Sequence, residues 1–448
     1  MRSPLTGPAK PVASLPALLL ACALATACSA STPEQTAADG GGAGQGSATA
    51  QPRASQPTAD PERPTGWGPT VGEVDRAREL VAAMSTEQLA GQVIVGRYAG
   101  TDPAAPARLV RDLHLAGVCV TSTNVTSEAQ VRATTAAVSR AHAASGRDWP
   151  SVIGVDEEGG VVSHLRGVAT EFPPFASAGT AISQGEQGEQ GEQGEQGERV
   201  VTEAARATSL ELRDLGFTWV FAPVADVTIG AADPTIGSRS PSGDPALASR
   251  AVAAAVEGYD DAGLVSTTKH FPGHGGVTAD SHETLPVLGS TLPQLRARDL
   301  KPFEAAIDAG APAMMMAHLD VRAVQPRTPS SQASEVYDLL RDALGFEGLV
   351  ITDSLGMGAA LSREFPAVRA LEAGADLLLM PVDTAKTHEL VVDAIETGKV
   401  PRQRVEEAAG RVVALQLWQQ RVADDVPVPD DVAARAQRAA AALSAAAS

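Results

Sequence analysis

Eight short apolar runs, separated by Ala-rich helical stretches, constrain this chain more than any other feature. The runs are Gly91–Val95, Gly117–Val120, Ser151–Val155, Trp219–Val224, Leu264–Thr268, Ala313–Ala317, Gly348–Ile351 and Ala375–Met380. Between them, Ser127–Ala144, Val200–Leu215, Pro245–Ala262 and Leu292–Ala309 carry Leu or Val at helical spacing. Strands that are apolar throughout, rather than at alternate positions, belong in a parallel sheet covered on both faces by helices. Eight such units predict an α/β fold, a single-domain (β/α)8 TIM barrel over residues 67–425, with an open doubly wound sheet as the alternative.

Outside that span the chain reads differently. Arg2 and Lys10 precede an apolar segment, Leu15–Leu24, that is too short to cross a bilayer, so residues 1–27 predict an export signal. Ala25-Thr26-Ala27-Cys28 resembles a bacterial lipoprotein cleavage site and marks Cys28 for lipidation. Cys28 leaves the apolar segment a more usual length than the competing Cys22 does. The expected location is therefore the outer face of the cell membrane, held by the lipid anchor alone. Residues 28–66 have almost no large apolar side chains and are expected to form a disordered tether. Residues 184–198 repeat Gln-Gly-Glu and are expected to be a solvated low-complexity insertion. After the last helical stretch, Arg402–Val422, residues 426–448 read as a short Ala-rich tail. With only Cys119 left in the folded part, no internal disulfide can form. The net charge of −19 repels phosphate backbones and excludes nucleic acid as a partner.

In a parallel barrel, the C-terminal strand ends converge on one face. Here those ends carry Asp156, Asp226, Lys269-His270, His318 and Asp353. The densest stretch is Lys269-His270-Phe271-Pro272-Gly273-His274-Gly275, followed by Asp280-Ser281-His282. Histidines titrate near neutral pH, so crowding them beside a carboxylate suits proton transfer. The third run continues as Asp156-Glu157-Glu158-Gly159-Gly160, and the seventh ends in Ile351-Thr352-Asp353-Ser354. On pattern alone Asp353 fits either a nucleophile or a helix cap.

Together with Met84-Ser85-Thr86-Glu87-Gln88-Leu89-Ala90-Gly91-Gln92, these motifs resemble the glycoside hydrolase family 3 β-N-acetylhexosaminidases, in the single-barrel branch acting on cell-wall aminosugars. The similarity runs from about Val81 to Val422. It implies that Asp353 is the nucleophile, His282 the general acid/base, and Asp280 its dyad partner. It further implies that Asp156 binds sugar hydroxyls, and that Arg239, Lys269 and His270 contact substrate. Where the family usually carries arginine, eight residues after the binding aspartate, this chain has His164, with Arg166 two residues on. Either His164 takes over that contact or Arg166 reaches in. The implied reaction is double displacement with retention on terminal β-linked N-acetylglucosamine of peptidoglycan fragments. A small carbohydrate is the expected substrate, and no cofactor is expected.

The residues themselves suit that chemistry. A retaining glycosidase commonly uses two carboxyl groups, and here an imidazole would replace the second. Its proton must be on when the glycosidic oxygen leaves and off when water attacks. Asp280 can fix its tautomer and support the imidazolium. Gly273, Gly275 and Gly276 should let that loop open and close.

Three rival readings fit parts of the same sequence. A pocket with one carboxylate fewer would admit phosphate as acceptor, giving a phosphorylase. His270, His274, Asp280 and His282 could in principle ligate zinc, although no compact metal motif is present. A non-catalytic lipoprotein that binds cell-wall sugars is the third. Individual residues also have plain structural readings. His274 would shape its loop, Asp226 would cap the next turn, and Glu157 and Glu158 would bond loop amides unless one contacts a sugar hydroxyl. His318 would either line the pocket or be a satisfied core histidine.

Overall fold

The computed structural model describes residues 60–186 and 192–448. The export signal, Cys28, the tether up to residue 59 and repeat residues 187–191 lie outside the described residues.

Eight parallel strands follow the eight apolar runs. They are β1 Ile94–Gly96, β2 Gly117–Val120, β3 Val152–Val155, β4 Trp219–Val220, β5 Thr267–Phe271, β6 Ala313–Met316, β7 Leu349–Thr352 and β8 Leu378–Leu379. Five of them form one sheet in the order β8-β1-β2-β3-β4, and the other three form a second in the order β7-β6-β5. Single parallel bridges run between the sheets on both sides. Trp219 pairs with Val265 and Val224 with Lys269 on one side, and Ile351 with Leu377 on the other. Strands β2, β3, β6 and β7 are buried at every position, as strands covered on both faces must be. The fold is therefore α/β with a parallel sheet. Among the described residues no helix is long and apolar enough to cross a membrane.

The structure departs from the sequence reading at several boundaries. Gly91 and Gln92 close the helix Thr86–Gln92 instead of opening the first strand, because Ser85 and Gln88 form a capping box that starts a helix there. The fifth strand runs on to Phe271, since its ladder with β6 continues and Phe271 packs edge-on against Phe303. Lys269 and His270 thus sit inside a strand rather than beyond it. The stretch Leu292–Ala309 is two helices, Leu292–Ala297 and Lys301–Asp308, with Pro302 in the first turn of the second. Proline fits a helix start but not a helix interior.

Residues 60–66 were assigned to the tether, yet they fold against the helix Val71–Ala82. The carbonyls of Pro61 and Arg63 accept the N–H groups of Gly72 and Val71, which a helix start leaves without partners. The repeat is helical where it is described. The helix Ala176–Glu186 enters it from one side, and Glu192–Asp214 begins inside it. Glu and Gln are good helix formers, and the helix they open continues into a stretch that buries Val201, Ala204, Ala205 and Leu212. Gly197 also lets the two helices pack closely, since a Cβ there would lie 2.7 Å from the Ala181 carbonyl oxygen. Finally, the tail forms the helix Val432–Ala446, which buries Val432, Ala436, Ala440 and Leu443. Those four recur at helical spacing and form an apolar stripe.

Candidate active site

The third strand ends in an extended segment where side chains alternate between faces. Asp156 and Glu158 share one face, and both accept from the Lys269 ammonium, which is only 2% exposed. Glu158, also 2% exposed, takes a bidentate pair of bonds from Arg239, Nε to Oε2 at 2.8 Å and Nη2 to Oε1 at 2.8 Å. Burial pushes the Glu158 carboxyl up, but Lys269 and Arg239 outweigh it and hold it down to about 2. Lys269 is in turn kept charged, since Asp156 and Glu158 outweigh the effect of its burial. A buried charge needs such partners. The substrate-binding candidates Asp156, Lys269 and Arg239 therefore meet around Glu158. By sequence that residue reads as bonding loop amides or contacting a sugar hydroxyl. The signal was available in its spacing, because residues two apart on an extended strand share a face.

Glu157 points the other way. Its Oε2 accepts the His164 N–H at 3.0 Å and the Leu165 N–H at 3.1 Å, so it does bond loop amides as expected. His164 is half-buried. Burial holds its pKa below the ordinary value, with Asp156 and Glu158 opposing and Lys269 assisting, so it lies within electrostatic reach of that network. Arg166 is exposed and bonds Glu171 and the Gly160 carbonyl, so it does not reach in.

Asp226 caps no turn. It is fully buried and accepts from His270 Nδ1 at 2.7 Å and from the backbone N–H groups of His270 and His274. Its carboxyl lies below the usual range because His270, His274 and these bonds outweigh burial. His270 stands beside Arg239, whose Nη2 is 3.4 Å from His270 Nε2. His274 Nε2 meets Ser281 Oγ at 2.9 Å, which makes it a loop-shaping residue.

Asp353 follows β7 directly, and its Oδ1 accepts the Ser354 N–H at 2.6 Å. Burial pushes this carboxyl up, but His270, His318, the Ser354 N–H and Lys269 together hold it below its ordinary value. It is thus ionised at neutral pH, as a nucleophile must be. His318 is fully buried, with Nδ1 2.7 Å from Ser331 Oγ and Nε2 3.0 Å from the Ser354 carbonyl oxygen. Both nitrogens are occupied, so it braces the Asp353 loop and has none left for a ligand.

The dyad residues bond each other, with His282 Nδ1 and Asp280 Oδ1 2.8 Å apart. Both are solvent-accessible, at 66% for the His282 side chain and 44% for Asp280. Bonds to His282 outweigh partial burial and lower the Asp280 pKa, so it stays a carboxylate able to hold the imidazole tautomer. The four residues of the zinc alternative are not gathered on a common point. The His270 ring turns to Asp226 and the His274 ring to Ser281, while Asp280 and His282 turn to each other.

A parallel α/β fold that gathers buried carboxylates, cations and imidazoles at its strand ends is the framework of an enzyme. Residues 84–415 match the glycosyl hydrolase family 3 N-terminal domain. A β-hexosaminidase from Stenotrophomonas maltophilia is 37% identical over 287 residues, 63% of this chain and 81% of that protein. The structure of a glycoside hydrolase family 3 β-N-acetylglucosaminidase from Paenibacillus superposes with a TM-score of 0.70 at 32% identity, covering 80% of this chain and 68% of that one. NagZ from Neisseria gonorrhoeae, in complex with N-trifluoroacetyl-D-glucosamine, superposes with a TM-score of 0.63 at 26% identity, covering 79% and 98%. The chain belongs to glycosyl hydrolase family 3, and it is a glycoside hydrolase.

Proposed function

We propose that this chain is a retaining exo-β-N-acetylglucosaminidase whose eight strands close into one (β/α)8 barrel. The single bridges from β4 to β5 and from β7 to β8 support the closed ring. The observation that carries the function is the pairing of Asp353, held ionised at the end of β7, with an exposed His282–Asp280 dyad on an adjoining loop. The relatives' names, β-hexosaminidase and β-N-acetylglucosaminidase, support the aminosugar.

In this reading the Asp353 carboxylate attacks the anomeric carbon while protonated His282 gives its proton to the departing oxygen. Neutral His282 then takes a proton from water, which attacks the same carbon and frees Asp353. Asp280 holds the ring in the tautomer that presents Nε2. Asp156, Lys269, Arg239, His270 and His164 bind the sugar, with Glu158 keeping the two cations in place. Peptidoglycan fragments are the natural substrate of such an enzyme if it is exported and lipid-anchored through Cys28.

Hydrolysis of a chromogenic β-N-acetylglucosaminide tests the proposal. The protein is expected to turn it over, and Asp353→Ala to abolish turnover. A variant retaining full activity would overturn the reading.

A further inference from the structure

The dyad is exposed, so side-chain packing does not fix where His282 stands. Its backbone, however, is fastened. Ser281, only 2% exposed, is held through its hydroxyl by His274. Its carbonyl accepts the Ala359 N–H at 3.1 Å, and the His282 carbonyl accepts the Gly358 N–H at 3.0 Å. Both donors belong to the segment that continues from Asp353. The loop expected to swing freely on its glycines is therefore tied to the loop that carries the other proposed catalytic group.

Gly358 is what allows that approach. A Cβ there would stand 2.6 Å from the Glu283 carbonyl oxygen and 2.8 Å from that of His282, closer than real Cβ contacts come. Its φ is not in the left-handed region. Alanine would fit the Gly358 backbone, and only the facing loop stands in its way. The glycine serves the contact between two loops rather than a turn of its own.

We propose that Gly358 is a positioning residue for the proton shuttle. Its N–H and its missing side chain together set the spacing between the Asp353 loop and the His282 loop. The proposal rests on the assignment of Asp353 and His282 above. A displacement of about 1 Å in such a group can cost on the order of 100-fold in rate. The loss should fall on leaving groups that need a proton and spare those that leave unaided.

The test compares kcat/KM for two aryl β-N-acetylglucosaminides, one with a strongly acidic and one with a weakly acidic phenol. His282→Ala is expected to lose far more on the weakly acidic phenol. Gly358→Ala, assayed below its Tm, should show the same selective loss, about 100-fold against less than about threefold. Ser281→Ala, which removes the His274 bond, should show it at about 10-fold and decides the matter if Gly358→Ala does not fold. Equal losses on both phenols, or none in either variant, would overturn the positioning role. If His282→Ala itself shows no dependence on the phenol, the acid/base assignment fails instead.

Discussion

At the scale of single residues, the adjacent carboxylates Glu157 and Glu158 do opposite work because an extended strand turns them to opposite faces. Glu158 meets two cations and stays ionised, whereas Glu157 faces the buried backbone of the His164 loop. Burial raises the Glu157 pKa from 4.5 to about 7, and the bonds from Ser163, Leu165 and His164 only partly offset it. Between those values the unfolded chain has given up this proton and the folded chain keeps it. The folded state is favoured at the acidic end, and that advantage is lost as pH rises towards 7. The shift corresponds to about 3 kcal/mol. Asp299, raised to about 6, adds a contribution of the same sign. Glu158, Asp226 and Asp353 all lie below their ordinary values, so they titrate at more acidic pH. Between pH 5 and pH 8 the Tm of the protein should therefore fall relative to that of Glu157→Gln, in which this contribution is absent. Thermal melts across that range check this, and parallel slopes in the two proteins would contradict it.

The proposed site was legible residue by residue, and its wiring was not. Asp156, Arg239, Asp226 and Asp353 stand at strand ends or in nearby loops and Lys269 within the fifth strand, where apolar runs and motifs point. That Lys269 reaches Asp156, 113 positions away, depends on which strands become neighbours. Only the period of two in Asp156-Glu157-Glu158 hinted at the role of Glu158.

At the scale of elements, continuous apolar runs marked all eight parallel strands, because burial on both sides leaves no other composition. Boundaries were less legible wherever a polar segment gains its order from a neighbour. Residues 60–66 read as part of a disordered tether, the repeat as solvated and residues 426–448 as a short tail, yet each, where it is described, is ordered by packing or by a helix end needing acceptors. The C-terminal helix Val432–Ala446 lies against the helices Ala176–Glu186 and Glu192–Asp214, and its Leu443 lines a small cavity with Glu157, Phe172 and Tyr259. Deleting residues 427–448 removes the buried side chains of Val432 and Leu443. At about 1.5–3 kcal/mol each, the loss should be roughly 3–6 kcal/mol. Urea titration measures it. A change below about 1 kcal/mol would mean that this helix contributes nothing to the fold.

At the scale of the whole molecule, the family and the enzyme class were readable from a few ordered motifs, because their side chains must converge whatever the surrounding helices contain. The address rests on residues 1–28 alone. If Cys28 carries the lipid, Cys28→Ala should move activity from the membrane fraction to the soluble fraction of cells that export it. Activity that stays with the membrane would refute that anchor.

The central claim, a covalent bond between the sugar and one carboxylate at the tip of β7, is open to direct measurement. The protein is incubated with a fluorinated N-acetylglucosaminyl fluoride, which slows release of the intermediate, then digested and mapped by mass spectrometry. The added sugar mass should fall on the peptide holding Asp353 and vanish in Asp353→Ala. A label on any other residue, or none at all while the enzyme is being inactivated, would contradict the account.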